Sequence, residues 1–296
     1  MFWRDWSNRS KPGEQPTLSA LPSRGLLDAV TPRAADFPSL LVDRVNRDGY
    51  LSATIQVALA DGRSRTPAAR FGDGDDPGRN LCWGALYGIE THFANAADWR
   101  RVKTDGGDGL DIIRRVVFHK RSEPTEAWTT LGISKPFDVF VLANAWPNGR
   151  ARQAMQQPLR DALCGEEPVV FNIDGVPVEF GSGSVVVGYL GPNEMIDDYW
   201  EPDEVIGHCP GRQPIGVFYA CSLSAVYLHD PAARRGLYPM LFARQPIVPE
   251  AYVVDGMLSA LLSGELGDEL LASAAREYAR YQKGLSVSRA REIFFR

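Results

Sequence analysis

The order of apolar and polar positions along the chain predicts strands that alternate with helices. A run from 169 to 180 alternates around Asp174-Gly175, which is typical of a β-hairpin. Apolar runs that end at turn residues predict single strands at residues 51–60, 112–119, 137–144, 184–190, 214–220 and 240–243. Apolar positions at helical spacing predict helices at residues 80–93, 149–163, 254–262, 268–283 and 286–295.

Near-continuous apolar strands separated by helices indicate a mostly parallel sheet with helices on both faces. We therefore predict a three-layer α/β fold with an inserted hairpin and a helical C-terminus. Residues 38–296 are predicted to form a single domain. Residues 1–37 are rich in Ser, Pro, Arg and Gly and are predicted to form a flexible or docked N-terminal arm. Its aromatic residues Phe2, Trp3 and Trp6 are expected to dock on the body or on a partner chain.

Composition narrows the classes of partner and compartment. The formal net charge is -5 and the pI is near 5.5, which argues against nucleic acid or an anionic membrane surface as the main partner. No run of apolar residues is long enough to span a membrane, and residues 1–16 lack the apolar run of a secretory signal. Four cysteines in 296 residues do not indicate a disulfide framework, so we expect a cytoplasmic protein whose cysteines are core filler or reactive.

No motif in the chain indicates a cofactor or a metal. The segment Gly-Ser-Gly-Ser at 181–184 precedes a predicted strand, whereas phosphate-binding loops follow one. The cysteines and histidines lack the spacing of a zinc site. The expected cofactor and metal content is therefore none.

Side chains that follow the predicted strands are the candidate functional residues, because ligands of parallel sheets lie beyond the carboxyl ends of the strands. Asp61, Asn144 and Asn193 occupy such positions. Cys221 directly follows the strand at 214–220, where a thiol can serve as a nucleophile. Equally, a cysteine on an apolar strand can simply fill the core.

The sequence Val-Val-Gly-Tyr-Leu-Gly-Pro-Asn-Glu-Met-Ile-Asp at 186–197, followed by the strand that ends in Ala-Cys-Ser at 220–222, resembles the caspase-like and gingipain-like cysteine peptidases. In that fold one strand ends with a His-Gly pair, and the next strand ends with the nucleophilic cysteine. Residues 72–88 are also similar to a recurring block in poorly characterised bacterial proteins that carry a Gly-His-Asn-Gly-Leu-Met-Asp version of the first motif. The resemblance extends from about residue 51 to the C-terminus, and it implies a caspase-like fold.

The resemblance assigns Cys221 to the nucleophile, but Pro192 stands at the position of the base and Glu194 replaces the glycine that would help to bind an oxyanion. Proline can neither accept a proton on its side chain nor donate a backbone N–H. The dyad of the family therefore cannot operate in this chain.

Three interpretations follow. The one we favour is a pseudo-peptidase that has kept the fold and binds or regulates a protein or peptide partner. In the second, His208 in the connecting loop replaces the base, and Cys221 remains the nucleophile of a cysteine hydrolase. In the third, Cys221 is structural, and Glu194, Asp197 and Asp198 form an acidic site for a small ligand.

Overall fold

Strands that are apolar on both faces form the middle of the fold. The computed structural model describes residues 36–61, 71–109, 111–209 and 215–296. Its strands are β1 (Tyr50–Ala58), β2 (Arg100–Asp105), β3 (Arg114–Ser122), β4 (Phe137–Trp146), β5 (Val169–Ile173), β6 (Val176–Phe180), β7 (Val186–Leu190), β8 (Gly216–Ala220), β9 (Tyr238–Ala243) and β10 (Phe294–Phe295). Its helices are α1 (Phe37–Asp48), α2 (Ile89–Asn95), α3 (Glu126–Leu131), α4 (Ala151–Leu163), α5 (Pro202–Ile206), α6 (Ser224–Tyr227), α7 (His229–Arg234), α8 (Ala251–Leu262), α9 (Asp268–Tyr281) and α10 (Val287–Ile293).

The main sheet has eight strands in the order β10-β9-β8-β7-β1-β4-β3-β2. Parallel pairings join β4, β1, β7, β8 and β9, whereas β3, β2 and β10 pair in antiparallel fashion at the two ends. Every residue of β1, β7 and β8 is buried, because helices cover both faces there. The predicted α/β class with a mostly parallel sheet is therefore confirmed.

Two apolar layers flank the sheet. On one face α1, α2, α8 and α9 cover side chains such as Ile55 and Phe218. On the other face α4, α5 and α7 cover Val187, Tyr189 and Tyr219. The alternation of side chains along each strand sends neighbouring residues into opposite layers.

A separate two-stranded antiparallel sheet, β5 with β6, packs beside the second layer. Its buried side chains Ile173, Val178 and Phe180 share a core cluster with Phe140 and Leu142 of β4. Asp174 and Gly175 form the turn, both with positive φ.

The N-terminal boundary of the described unit lies at α1. Phe37, at the start of this helix, is fully buried and stacks on Tyr238 with ring centroids 4.5 Å apart. The arm predicted at residues 1–37, including Phe2, Trp3 and Trp6, lies outside the described residues up to residue 35.

The helix predicted at 80–93 is wrong over most of its length, since residues 81–88 form turns and α2 covers only Ile89–Asn95. The Asn80 side chain accepts a hydrogen bond from the backbone N–H of Cys82 and donates to the carbonyls of Ala60 and Asp73. Local side-chain bonds of this kind compete with the helical hydrogen bonds. The hydrogen bonds of Asn80 therefore hold the start of the turn segment against the carboxyl end of β1.

Gly188, in the middle of β7, makes room for the Phe218 ring of β8. A Cβ atom at position 188 would lie 2.2 Å from the Phe218 ring, well inside van der Waals contact. Phe218 is fully buried, so the ring has no free space to move into.

We expect Gly188→Ala to lower the free energy of unfolding by about 1 to 3 kcal/mol through overpacking, measured by urea unfolding. Gly106→Ala is the matched control, because a Cβ atom there would meet no atom within 4 Å. Equal unfolding midpoints for the two variants would contradict the packing described for β7 and β8.

Candidate functional site

The ends of β7 and β8 lie side by side at the carboxyl edge of the sheet. Leu190 pairs with Ala220, so the residues that follow, Gly191 and Cys221, are neighbours across the two strands. Gly191 has φ 156°, and a Cβ atom there would lie 2.8 Å from the Tyr189 hydroxyl. This edge is where the sequence predicts the candidate site.

Cys221 faces the core. It follows Tyr219 at the two-residue period of a strand, and both side chains belong to the apolar layer beneath α4. The thiol is fully buried, and burial raises its pKa in spite of a hydrogen bond with the Ser224 side chain. A nucleophilic cysteine needs the thiolate form. Burial therefore favours the neutral thiol of Cys221 over the thiolate.

His208 lies in the turn after α5 and is exposed to solvent. Its neighbour Cys209 forms a disulfide with Cys164, with the Cα atoms 4.3 Å apart. Cys164 follows α4, which starts beyond the carboxyl end of β4 and runs back towards the amino edge of the sheet. The structure therefore holds His208 near the amino edge and does not bring it to Cys221.

The disulfide corrects the expectation that all four cysteines are core filler or reactive. Only Cys82 and Cys221 are free, and both are buried. Cys164 and Cys209 are 45 residues apart in sequence, and the packing of α5 on α4 brings them together.

Polar side chains fasten the loops that leave β7 and β8. Asn193 donates through Nδ2 to the carbonyl of Ser222 at 2.6 Å and accepts the N–H of Met195 at 3.0 Å. The Ser222 hydroxyl donates to the carbonyl of Ile247 and accepts the N–H of the same residue. Ser224 donates to the carbonyl of Tyr219 and accepts the N–H of Ala243. These bonds satisfy backbone groups that an open crevice would leave to solvent or ligand.

The three carboxylates of the acidic alternative lie on the outer side of this edge. Glu194 is half-buried, and its pKa is raised by burial and then by the charges of Asp197 and Asp198. Asp197 and Asp198 are exposed, and Asp198 forms an ion pair of 2.9 Å with Arg152 of α4.

Asp61 and Asn144 come from the β1 and β4 part of the sheet, on the opposite side of β7 from β8. Asp61 follows β1 and lies beside Gly74, where a Cβ atom would come within 3.1 Å of the Asp61 Cβ. The prediction that the strand ends at Asn144 is wrong, because β4 continues to Trp146. Asn144 is almost fully buried and lies within the sheet rather than beyond its edge.

Asn144 belongs to a buried chain of hydrogen-bonded polar side chains. The other members of this chain were not among the predicted site residues. Gln56 accepts through Oε1 from Asn144 Nδ2 at 3.1 Å and from Trp146 Nε1 at 2.8 Å. Gln56 Nε2 donates to the Asp161 carboxylate at 3.2 Å, and Gln157 donates to its other oxygen at 2.9 Å. The signal in the sequence is the two-residue spacing of Ser52, Thr54 and Gln56 along an otherwise apolar strand.

Burial raises the pKa of Asp161 from 3.8 to about 6, against the lowering effect of its amide donors Gln157 and Gln56. The folded state therefore binds this proton more tightly than the unfolded state. Its contribution to stability is full below about pH 4 and is lost as the pH rises through about 6.

We expect the free energy of unfolding of the wild type to fall by about 2.5 kcal/mol relative to Asp161→Asn between about pH 4 and pH 7.5. Chemical denaturation of both proteins at the two pH values measures this difference, and titrations common to both cancel. The same difference at both pH values would show that Asp161 has an ordinary pKa.

Comparison with known proteins finds no matching family model, no matching curated protein and no matching solved structure. Within the described ranges, no group of three or more His, Cys, Asp or Glu side chains is arranged to hold a metal ion. Likewise, no helix in the described part of the chain has the length and apolar character needed to cross a membrane.

Proposed function

We propose that this chain acts by binding a protein partner, as a caspase-like domain that has lost cysteine-peptidase chemistry. The observation that carries the proposal is the state of Cys221, whose thiol is fully buried and has a raised pKa. A thiol in that state is neither ionised nor within reach of a substrate.

The strand topology supports the caspase-like part of the proposal. The parallel strands follow the order β4-β1-β7-β8-β9, in which β7 and β8 are consecutive in the chain and adjacent in the sheet. The resemblance requires the same arrangement of the two strands that carry the base and the nucleophile. Doubly wound sheets of this order bind ligands at their carboxyl edge.

The residues beyond β7 support the loss of catalysis. Pro192 stands at the base position and uses its carbonyl to accept the Tyr189 hydroxyl at 2.7 Å. With proline there, the side chain at the base position has no atom that can take the proton of the thiol.

The hydrolase alternative, with His208 as a substitute base, has less support because His208 is exposed near the opposite edge of the sheet. For a dyad to form, the turn that carries His208 would have to leave α4, to which the disulfide Cys164–Cys209 fastens it.

We expect iodoacetamide to leave Cys221 unmodified in the folded, non-reduced protein at about pH 8, because the buried thiol has a raised pKa. Peptide mass spectrometry measures the modified fraction. Cys82 is the matched control, since it is also fully buried and burial raises its pKa to about 12. Both residues should be modified in about 6 M guanidinium chloride, where no burial protects them.

Selective modification of Cys221 in the folded protein, with an apparent pKa below about 8.5 and with Cys82 protected, would overturn the proposal in favour of a reactive cysteine. Peptide cleavage that is lost in Cys221→Ala would overturn it as well.

A further inference from the structure

The loop after β7 exposes Tyr199 beside Tyr227 of α6, which is half-buried, and we infer that this surface binds a basic segment of the partner protein. Tyr199 is 58% exposed, and its ring centroid lies 6.2 Å from that of Tyr227. Ile196, in the same loop, is 40% exposed. We call these three side chains the tyrosine patch. The inference rests on the proposed function, since it names the chemistry of the partner.

The loop that carries Ile196 and Tyr199 is anchored at both ends. Met195 and Trp200 are both buried in the apolar layer beneath α4, one before and one after the exposed residues of the loop. Asn193 caps the short turn that contains Ile196. A loop anchored at both ends presents its side chains at a low entropic cost of binding.

Carboxylates surround the tyrosine patch. Glu194, Asp197 and Asp198 precede Tyr199 in sequence, and Glu201, Asp203 and Glu204 follow it. Glu201 accepts the Tyr199 hydroxyl at 2.8 Å, and the charge of Asp197 acts on Tyr227. Both tyrosines therefore lie in a negative field.

Arginines offset this charge only in part. Arg152 pairs with Asp198, and Arg234 and Arg235 pair with Asp203. Among the described residues, no lysine or arginine lies within ion-pair distance of Glu194, Asp197 or Glu204. The patch therefore combines the exposed ring of Tyr199 with carboxylates that no lysine or arginine of the described ranges pairs.

That combination fits arginine and lysine side chains. A guanidinium or ammonium group is attracted to the face of a tyrosine ring, and neighbouring carboxylates strengthen the attraction. The aliphatic stem of such a side chain can pack against Ile196. Nucleic acids and anionic lipids would instead be repelled, so a basic peptide is the occupant that charge complementarity selects.

The test uses the full chain and a fluorescein-labelled peptide of alternating alanine and arginine, with binding measured by fluorescence anisotropy. A peptide with glutamate in place of arginine controls for charge. We expect the basic peptide to bind more tightly, and its affinity to fall several-fold between about 50 and 300 mM NaCl.

Substitutions then locate the surface. Tyr199→Ala should weaken binding by about five- to tenfold, whereas Tyr199→Phe, which keeps the ring face, should remain within about twofold of the wild type. Asp197→Asn should weaken binding by about two- to threefold, with the effect lost at high salt. Asp174→Asn is the matched control, because Asp174 is an exposed carboxylate on the turn between β5 and β6.

Equal affinity of Tyr199→Ala and the wild type would overturn this inference, as would equal binding of the acidic peptide. Binding of the basic peptide at another surface would leave the proposed function standing. Cleavage of the peptide that depends on Cys221, detected by mass spectrometry, would overturn the proposed function even where the tyrosine patch binds.

Discussion

Hydrogen bonds between the loops that follow β7, β8 and β9 hold the carboxyl edge of the sheet together. Parallel strands leave backbone groups unpaired at their carboxyl ends, and in many α/β proteins ligands occupy that space. Here the side chains of Asn193, Ser222 and Ser224 form hydrogen bonds with backbone groups at this edge. Because the loops are fastened to each other, the side chain of Cys221 remains in the core, and any partner must approach from outside the edge.

In the proposed function, this closure is what keeps the thiol of Cys221 from acting as a nucleophile. A cysteine hydrolase needs an accessible thiol, a base beside it and room for a substrate carbonyl. Pro192 supplies no base, and the thiol of Cys221 is enclosed by apolar side chains. What the edge presents instead is an outer loop with the exposed side chain of Tyr199 and several carboxylates.

Burial on both faces makes the parallel strands predictable from sequence, since β7 and β8 are apolar throughout and β1 is apolar apart from Ser52, Thr54 and Gln56. The helix at 80–93 could not be rejected from its apolar spacing, because the competing bonds of Asn80 depend on contacts with Ala60 and Asp73. β2 escapes prediction because its sequence, Arg-Arg-Val-Lys-Thr-Asp, carries the charges of an edge strand.

The sequence predicts where the candidate site lies, but not which way the Cys221 side chain points or whether His208 reaches it. The strand pattern locates Cys221 after β8, yet the direction of its side chain follows from the register of Tyr219 beneath α4. The place of His208 depends on the disulfide between Cys164 and Cys209, which only the packing of α5 on α4 reveals. Asp161 could not be recognised from sequence because one of its partners, Gln56, lies 105 residues earlier on β1, although the other, Gln157, precedes it by four residues on α4.

Native-state hydrogen exchange tests the closed edge most directly. The amides of Ala243 and Ile247 donate to the hydroxyls of Ser224 and Ser222 at 2.9 and 3.0 Å. If the edge is a static part of the core, both amides should exchange only through global unfolding, with the same protection as the amides in the middle of β7. Exchange of these two amides through local opening, while β7 stays protected, would contradict the account by showing that the edge opens and exposes Cys221.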